Sequence, residues 1–160
     1  TMTNTFYRHK VQYFPKLNWI KAPNPKIVFP LDEKNLSDVK KREEESLHFI
    51  REQLALHKNQ VACLIVEPIQ AEGGDNHFRK EFHQALRKVC DENEMLFIYD
   101  EVQTGVGLIG SFWAHQKIGV RPDLLAFGKK MQVCGVLAGK RIDEGLFSVI
   151  VQFLDKAGCR

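Results

Sequence analysis

Three short apolar segments constrain this chain more than anything else in it: Val61-Ala62-Cys63-Leu64-Ile65-Val66, Leu96-Phe97-Ile98-Tyr99 and Leu124-Leu125-Ala126-Phe127. None alternates cleanly between apolar and polar residues. That is the pattern of strands buried on both faces, as in parallel sheets covered by helices. Between the first two, Phe78, Phe82, Leu86 and Val89 recur at spacings of three and four, which predicts an amphipathic helix ending near Asn93. Strand, helix and strand make a βαβ unit, for which a right-handed crossover is expected. The fold class is therefore α/β, with a mainly parallel sheet and helices on both faces. Ahead of it, Ser37 is the expected N-cap of another helix running to about Lys58, with Leu47, Ile50 and Leu54 on one stripe and a solvated charged face elsewhere. Residues 1–35 hold Pro15, Pro23, Pro25 and Pro30 among scattered aromatics, the composition of an extended connector, because proline fixes φ and removes a donor.

Composition removes several classes of function. The 160 residues are 44% hydrophobic and 27% charged, as in an ordinary globular domain, and not as in disordered, collagen-like or coiled-coil chains. The longest apolar runs fall far short of the roughly 20 residues that cross a bilayer, so no membrane span is expected. The net charge of +3 arises from 23 basic and 20 acidic residues without a basic block, which gives nucleic-acid binding no support. Cys63, Cys90, Cys134 and Cys159 are too widely spaced for a zinc knuckle or a disulfide scaffold, so a reducing, cytoplasmic setting is expected. The opening Thr1-Met2-Thr3-Asn4-Thr5 carries no secretory signal and reads as a cut through a longer chain. His48, His57, His77, His83 and His115 show no metal-ligand spacing and are read as packing or surface residues, so no metal is expected. Phe112 and Trp113 are read as core anchors of a loop.

In open parallel sheets ligands sit beyond the carboxyl ends of the strands. Here those ends read Glu67-Pro68-Ile69-Gln70-Ala71-Glu72-Gly73-Gly74-Asp75, Asp100-Glu101-Val102-Gln103-Thr104-Gly105 and Gly128-Lys129-Lys130. Carboxylates, an amide and a lysine converge on one edge. A desolvated or cation-flanked lysine can form a Schiff base with an aldehyde, and a neighbouring aspartate can keep a pyridine nitrogen protonated. Pyridoxal 5'-phosphate needs that pairing, with Lys129 as aldehyde holder and proton carrier and Asp100 as partner of the ring nitrogen. Taken singly, Asp100 could equally be a turn former and Lys129-Lys130 a solvated pair; the coordination of three strand ends favours chemistry. Two other motifs carry less. Gly105-Val106-Gly107-Leu108-Ile109-Gly110 fits G-x-G-x-x-G, but residues 100–104 separate it from the strand and no acidic residue ends the next strand near Phe127. Residues 96–101 look like a Walker B strand, but the chain has no G-x-x-x-x-G-K-[ST] to cradle phosphates.

Val66-Glu67-Pro68-Ile69-Gln70, Asp100-Glu101-Val102-Gln103-Thr104-Gly105 and Phe127-Gly128-Lys129-Lys130, in this order and spacing, resemble the class III, fold type I pyridoxal-phosphate aminotransferases. Within that family, Tyr13-Phe14-Pro15-Lys16, Glu72-Gly73-Gly74-Asp75 and the run from Gly128 to Val136 are most similar to the branch that transfers the ε-amino group of L-lysine to 2-oxoglutarate. The 4-aminobutyrate branch comes next; it shares the double lysine but usually carries Met/Thr/Gly/Gly where this chain has Gln132-Val133-Cys134-Gly135. The resemblance implies that Asp100 meets the ring nitrogen, Val102 packs on one ring face and Gln103 partners the ring hydroxyl. It implies Lys129 as the Schiff-base residue, with Lys130 the fallback. Glu72 matches a substrate-binding glutamate that swings to admit either an amino acid or 2-oxoglutarate, and Glu67 is read as structural. The implied assembly is a homodimer, and the implied extent is the middle of a longer enzyme, about a third of it. On this reading residues 36–147 are part of the large cofactor domain, and the isolated chain is expected to be inactive. Residues 148–160 depart from the family pattern and read as a truncated or frameshifted tail.

Overall fold

A computed structural model of the chain describes Tyr13, residues 19–72 and residues 74–143. The Tyr13-Phe14-Pro15-Lys16 motif beyond Tyr13, Gly73 and the tail at 148–160 lie outside the described residues. Residues 19–32 form no helix or strand and lie against the body of the fold: Ser46 Oγ donates to the Pro23 carbonyl at 2.8 Å and Ile27 N–H to the His77 carbonyl at 2.8 Å.

Helix α1 spans Glu33–Leu56, and its N-cap is Asp32, whose carboxylate accepts from Asn35 N–H at 2.8 Å. The expected start at Ser37 is thus corrected by a full turn. Asp32 outcompetes Ser37 because it stands in extended backbone where its carboxylate reaches the unpaired N–H groups of the first turn. Val39, Glu43, Ser46 and Ile50 form the buried stripe. Glu43 is buried because Arg79, the residue preceding α2 (Lys80–Glu92), grips it through two nitrogens, Nε at 2.9 Å and Nη2 at 2.7 Å. That ion pair joins the two helices.

The main sheet has the order β1-β4-β5-β6, from β1 (Cys63–Val66), β4 (Leu96–Asp100), β5 (Leu124–Phe127) and β6 (Gly135–Ala138). A two-stranded antiparallel ribbon, β2 (Ile69–Gln70) with β3 (Asn76–His77), fills the excursion after β1. The β1·β4 and β4·β5 pairs are parallel, as the apolar runs require, whereas β6 runs antiparallel to β5. Sequence reasoning missed β6, because Val133-Cys134-Gly135-Val136-Leu137 lies directly after a lysine motif and was absorbed into it. The registers place Leu64, Val66, Phe97, Tyr99 and Leu125 on one face. There α2 covers them: Phe82, Leu86, Val89, Cys90, Phe97 and Tyr99 belong to one buried cluster with Ile50 of α1. The opposite face, with Ile65, Ile98, Leu124 and Ala126, is half-buried among the described residues. Two short helices complete the described fold, α3 (Ala114–Ile118) and α4 (Lys140–Asp143).

Candidate active site

Asp100 and Glu101 are consecutive carboxylates at the end of β4, and alternation along a strand sends them to opposite sides. Asp100 pairs in register with Ala126 on the half-buried face, where its Oδ1 accepts from Val102 N–H at 3.1 Å. Glu101 goes the other way and is fully buried. Its carboxylate accepts from Ala114 N–H at 2.6 Å and His115 N–H at 2.8 Å, with His115 Nδ1 at 3.2 Å. These two N–H groups open α3, so a carboxylate caps a helix start where positive partial charge accumulates. Sequence reasoning gave Glu101 no role; the signal lay in a second acidic residue beside Asp100, with no hint of its distant partner.

Past β5 the chain enters a 3₁₀ turn at Lys129–Met131. Lys129 has φ of 45°, in the left-handed region that side chains other than glycine's avoid. A non-glycine residue held there is strained by about 1–3 kcal/mol, and such positions cluster at functional sites. Its amine donates to Gln103 Oε1, and the amine of Lys130 donates to the Gln103 carbonyl at 2.5 Å. Both lysines are exposed, so Lys129 is cation-flanked but not desolvated. At Gly128 a Cβ would come within 3.0 Å of Cys134 Sγ and 3.5 Å of Val102 Cγ1, so the backbone passes close to both side chains. Gly105 is equally tight: a Cβ would lie 2.7 Å from Trp113 Cζ3 and 2.8 Å from the Glu101 carbonyl. Trp113 is half-buried over Gly105, but Phe112 is 53% exposed and does not anchor the loop in the core as expected.

The structure therefore brings Lys129, Lys130, Gln103, Val102 and Asp100 into one connected group at the ends of β4 and β5. Glu72 is exposed in the turn between β2 and β3, and Glu67 is half-buried just past β1. Thr104 is fully buried, and its hydroxyl has no hydrogen-bond partner among the described residues. An amine, an amide oxygen, a carboxylate and a valine side chain packed at Gly128 form the donor set a pyridoxal ring calls for. The residues present fit that group.

Three of the described histidines make packing or surface contacts. His83 is in the core with Nδ1 3.0 Å from Tyr99 Oη, His48 meets Glu52 on the surface at 3.3 Å, and the ring of His77 stands edge-on to Phe29. Among the described residues no group of three or more His, Cys, Asp or Glu is arranged to hold a metal, and no helix is long and apolar enough to cross a membrane.

The family model of class III aminotransferases matches residues 2–142. The chain belongs to the class III aminotransferases. It is 46% identical to the L-lysine-epsilon aminotransferase of Streptomyces clavuligerus over 144 residues, 90% of this chain and 31% of that enzyme. Against the 4-aminobutyrate aminotransferase of Emericella nidulans identity is 43% over 136 residues, 82% of this chain and 26% of that protein. The solved lysine aminotransferase of M. tuberculosis in its internal aldimine form superposes with a TM-score of 0.82 at 47% identity, over 89% of this chain and 32% of that structure. The aminotransferase chain thus spans about 30% of the length of the relatives it matches. Enzymes of the class III aminotransferase family depend on pyridoxal phosphate.

Proposed function

We propose that the enzyme to which this chain belongs transfers the ε-amino group of L-lysine to 2-oxoglutarate, giving glutamate and 2-aminoadipate 6-semialdehyde. The observation that carries this reading is the strained backbone of Lys129, which aims an amine at Gln103 across the strand ends from Asp100. The similarity to lysine ε-aminotransferases supports the choice of donor. Bound pyridoxal phosphate supplies an electron sink for the carbanion left when a proton departs from the substrate carbon that bears the amine. With the cofactor bound, the Asp100 carboxylate would hold the proton on the ring nitrogen, Val102 would support one ring face and Gln103 would partner the ring hydroxyl. Lys129 Nζ would hold the cofactor and would serve as the base and acid that moves a proton from and to the substrate carbon. Glu72 contacts the substrates and moves to admit amino acid and keto acid in turn. The reading includes a homodimer in the cytoplasm, supported by the family resemblance and by cysteines spaced as in reduced proteins.

Borohydride trapping of pyridoxal phosphate on the full-length enzyme, followed by peptide mapping, tests the assignment. The expected label lies on Lys129. Label on Lys130 reassigns the nucleophile, and an active enzyme without label overturns the reading. Comparing half-reactions with L-lysine and 4-aminobutyrate then decides the donor, with faster loss of cofactor absorbance expected for lysine.

A further inference from the structure

Asp100, Val102 and Gln103 lie on a loop that returns to the fold only at α3, and the residue that closes this loop is Glu101. Its side chain has no exposed surface. Three donors from two consecutive residues, Ala114 and His115, converge on the two carboxylate oxygens at 2.6, 2.8 and 3.2 Å. The main chain of the same residue is held too: its N–H donates to the Ala126 carbonyl of β5 at 2.9 Å, and its carbonyl accepts from Gly105 N–H at 2.9 Å. Further along, Val106 N–H donates to the Phe112 carbonyl at 2.7 Å, and the Trp113 ring covers Gly105 so closely that no Cβ fits. The segment from Asp100 to Ala114 is thereby closed on itself, with Glu101 at the joint.

We propose that Glu101 is a positioning residue: by capping α3 from the far side of the strand end it forces Asp100 toward the crevice and holds Val102 and Gln103 in one fixed arrangement with it. The inference rests on the reading of Asp100, Val102 and Gln103 as the pyridoxal-phosphate contacts. Two adjacent carboxylates leave β4, and only one can meet the ring. Glu101 already satisfies its oxygens with helix N–H groups, and rotation of the pair would leave those two N–H groups unpaired in the interior. Asp100 keeps its carboxylate on the crevice side, steadied by Val102 N–H at 3.1 Å. An amide at position 101 would turn an NH₂ group toward donors and loosen the joint without touching the cofactor.

The test uses the full-length enzyme carrying Glu101→Gln, read by pyridoxal-phosphate titration, by the absorption spectrum of the bound cofactor and by kcat and KM for L-lysine. Expected are a cofactor dissociation constant raised about tenfold, the size of one buried donor left unpaired, a displaced absorption band, and a lower kcat at a KM within about twofold of the parent. A folded Glu101→Gln enzyme that matches the parent in dissociation constant and spectrum, with only its melting temperature lowered, overturns the proposal. If that variant does not fold, His115→Ala decides, since it removes only the 3.2 Å contact: weaker cofactor binding supports the proposal and unchanged binding overturns it. A parent enzyme that binds no pyridoxal phosphate in the same titration removes the underlying reading, an outcome visible before any variant is compared.

Discussion

His83 and Tyr99 meet inside the core, and burial decides the chemistry of both. The imidazole is pushed down to about 4, with the nearby Pro68 carbonyl opposing the shift weakly. The Tyr99 hydroxyl is held well above its usual range by burial, to which the Glu101 charge adds. Because His83 stays neutral when folded but titrates near 6.5 once unfolded, protons bind the unfolded chain first as pH falls. Its contribution to stability is therefore intact above about pH 6.5 and is lost progressively down to about pH 4, a swing of about 3 kcal/mol. Urea midpoints measured across this window should fall with pH, and His83→Asn should flatten that part of the slope; an unchanged slope would refute the assignment. The two lysines differ at the same scale. Lys129→Ala should abolish the bound-cofactor absorption of the full-length enzyme, while Lys130→Ala, which removes only a tether to the Gln103 carbonyl, should retain it. The placement of Asp100, Gln103 and Lys129 at strand ends was legible from the sequence because each follows an apolar run, where parallel sheets place their ligands. Glu101's partners were not, since Ala114 lies 13 positions away and offers only its backbone.

Helices α1 and α2 show how element boundaries depend on capping and pairing more than on periodicity. Asp32 carries the α1 N-cap, so Asp32→Ala should cost about 1 kcal/mol in chemical denaturation. Ser37, exposed and already inside the helix, should tolerate alanine within about 0.5 kcal/mol. The apolar stripe of α1 was visible as Leu47, Ile50 and Leu54, but the burial of Glu43 was not. A glutamate in a charge run reads as solvated face until Arg79, 36 residues on, is found against it. Glu43→Ala leaves the largely buried Arg79 guanidinium with only its 3.5 Å contact to the exposed Glu81, and a loss of about 3 kcal/mol is expected from urea unfolding. The β5 strand matches its apolar run residue for residue, and β1 and β4 differ from theirs only at the ends. Strand β6 escaped notice because Gly135, Val136 and Leu137 become a strand only through pairing with β5.

Across the whole molecule, apolar surface remains at both edges of the sheet. Beyond β5, Val133 and Val136 are each 60% exposed and Leu137 46%. Along β1 an apolar groove of about 470 Å³ is lined by Trp19, Ile20, Ile50, Leu54, Leu64 and Met95. Exposed edge strands with apolar side chains template association. The 160-residue chain by itself should therefore self-associate in sedimentation experiments, and Val136→Lys should shift it toward monomer. Local sequence determined the type and order of the central elements and the chemical groups at the strand ends, because residues two, three and four apart set the strand and helix patterns. Tertiary structure alone decided that Glu101 is buried against the start of α3, that Lys129 takes a left-handed backbone and that β6 closes the sheet antiparallel. Each of those outcomes depends on a partner remote along the chain or on a backbone conformation imposed by packing, and neither leaves a period in the sequence.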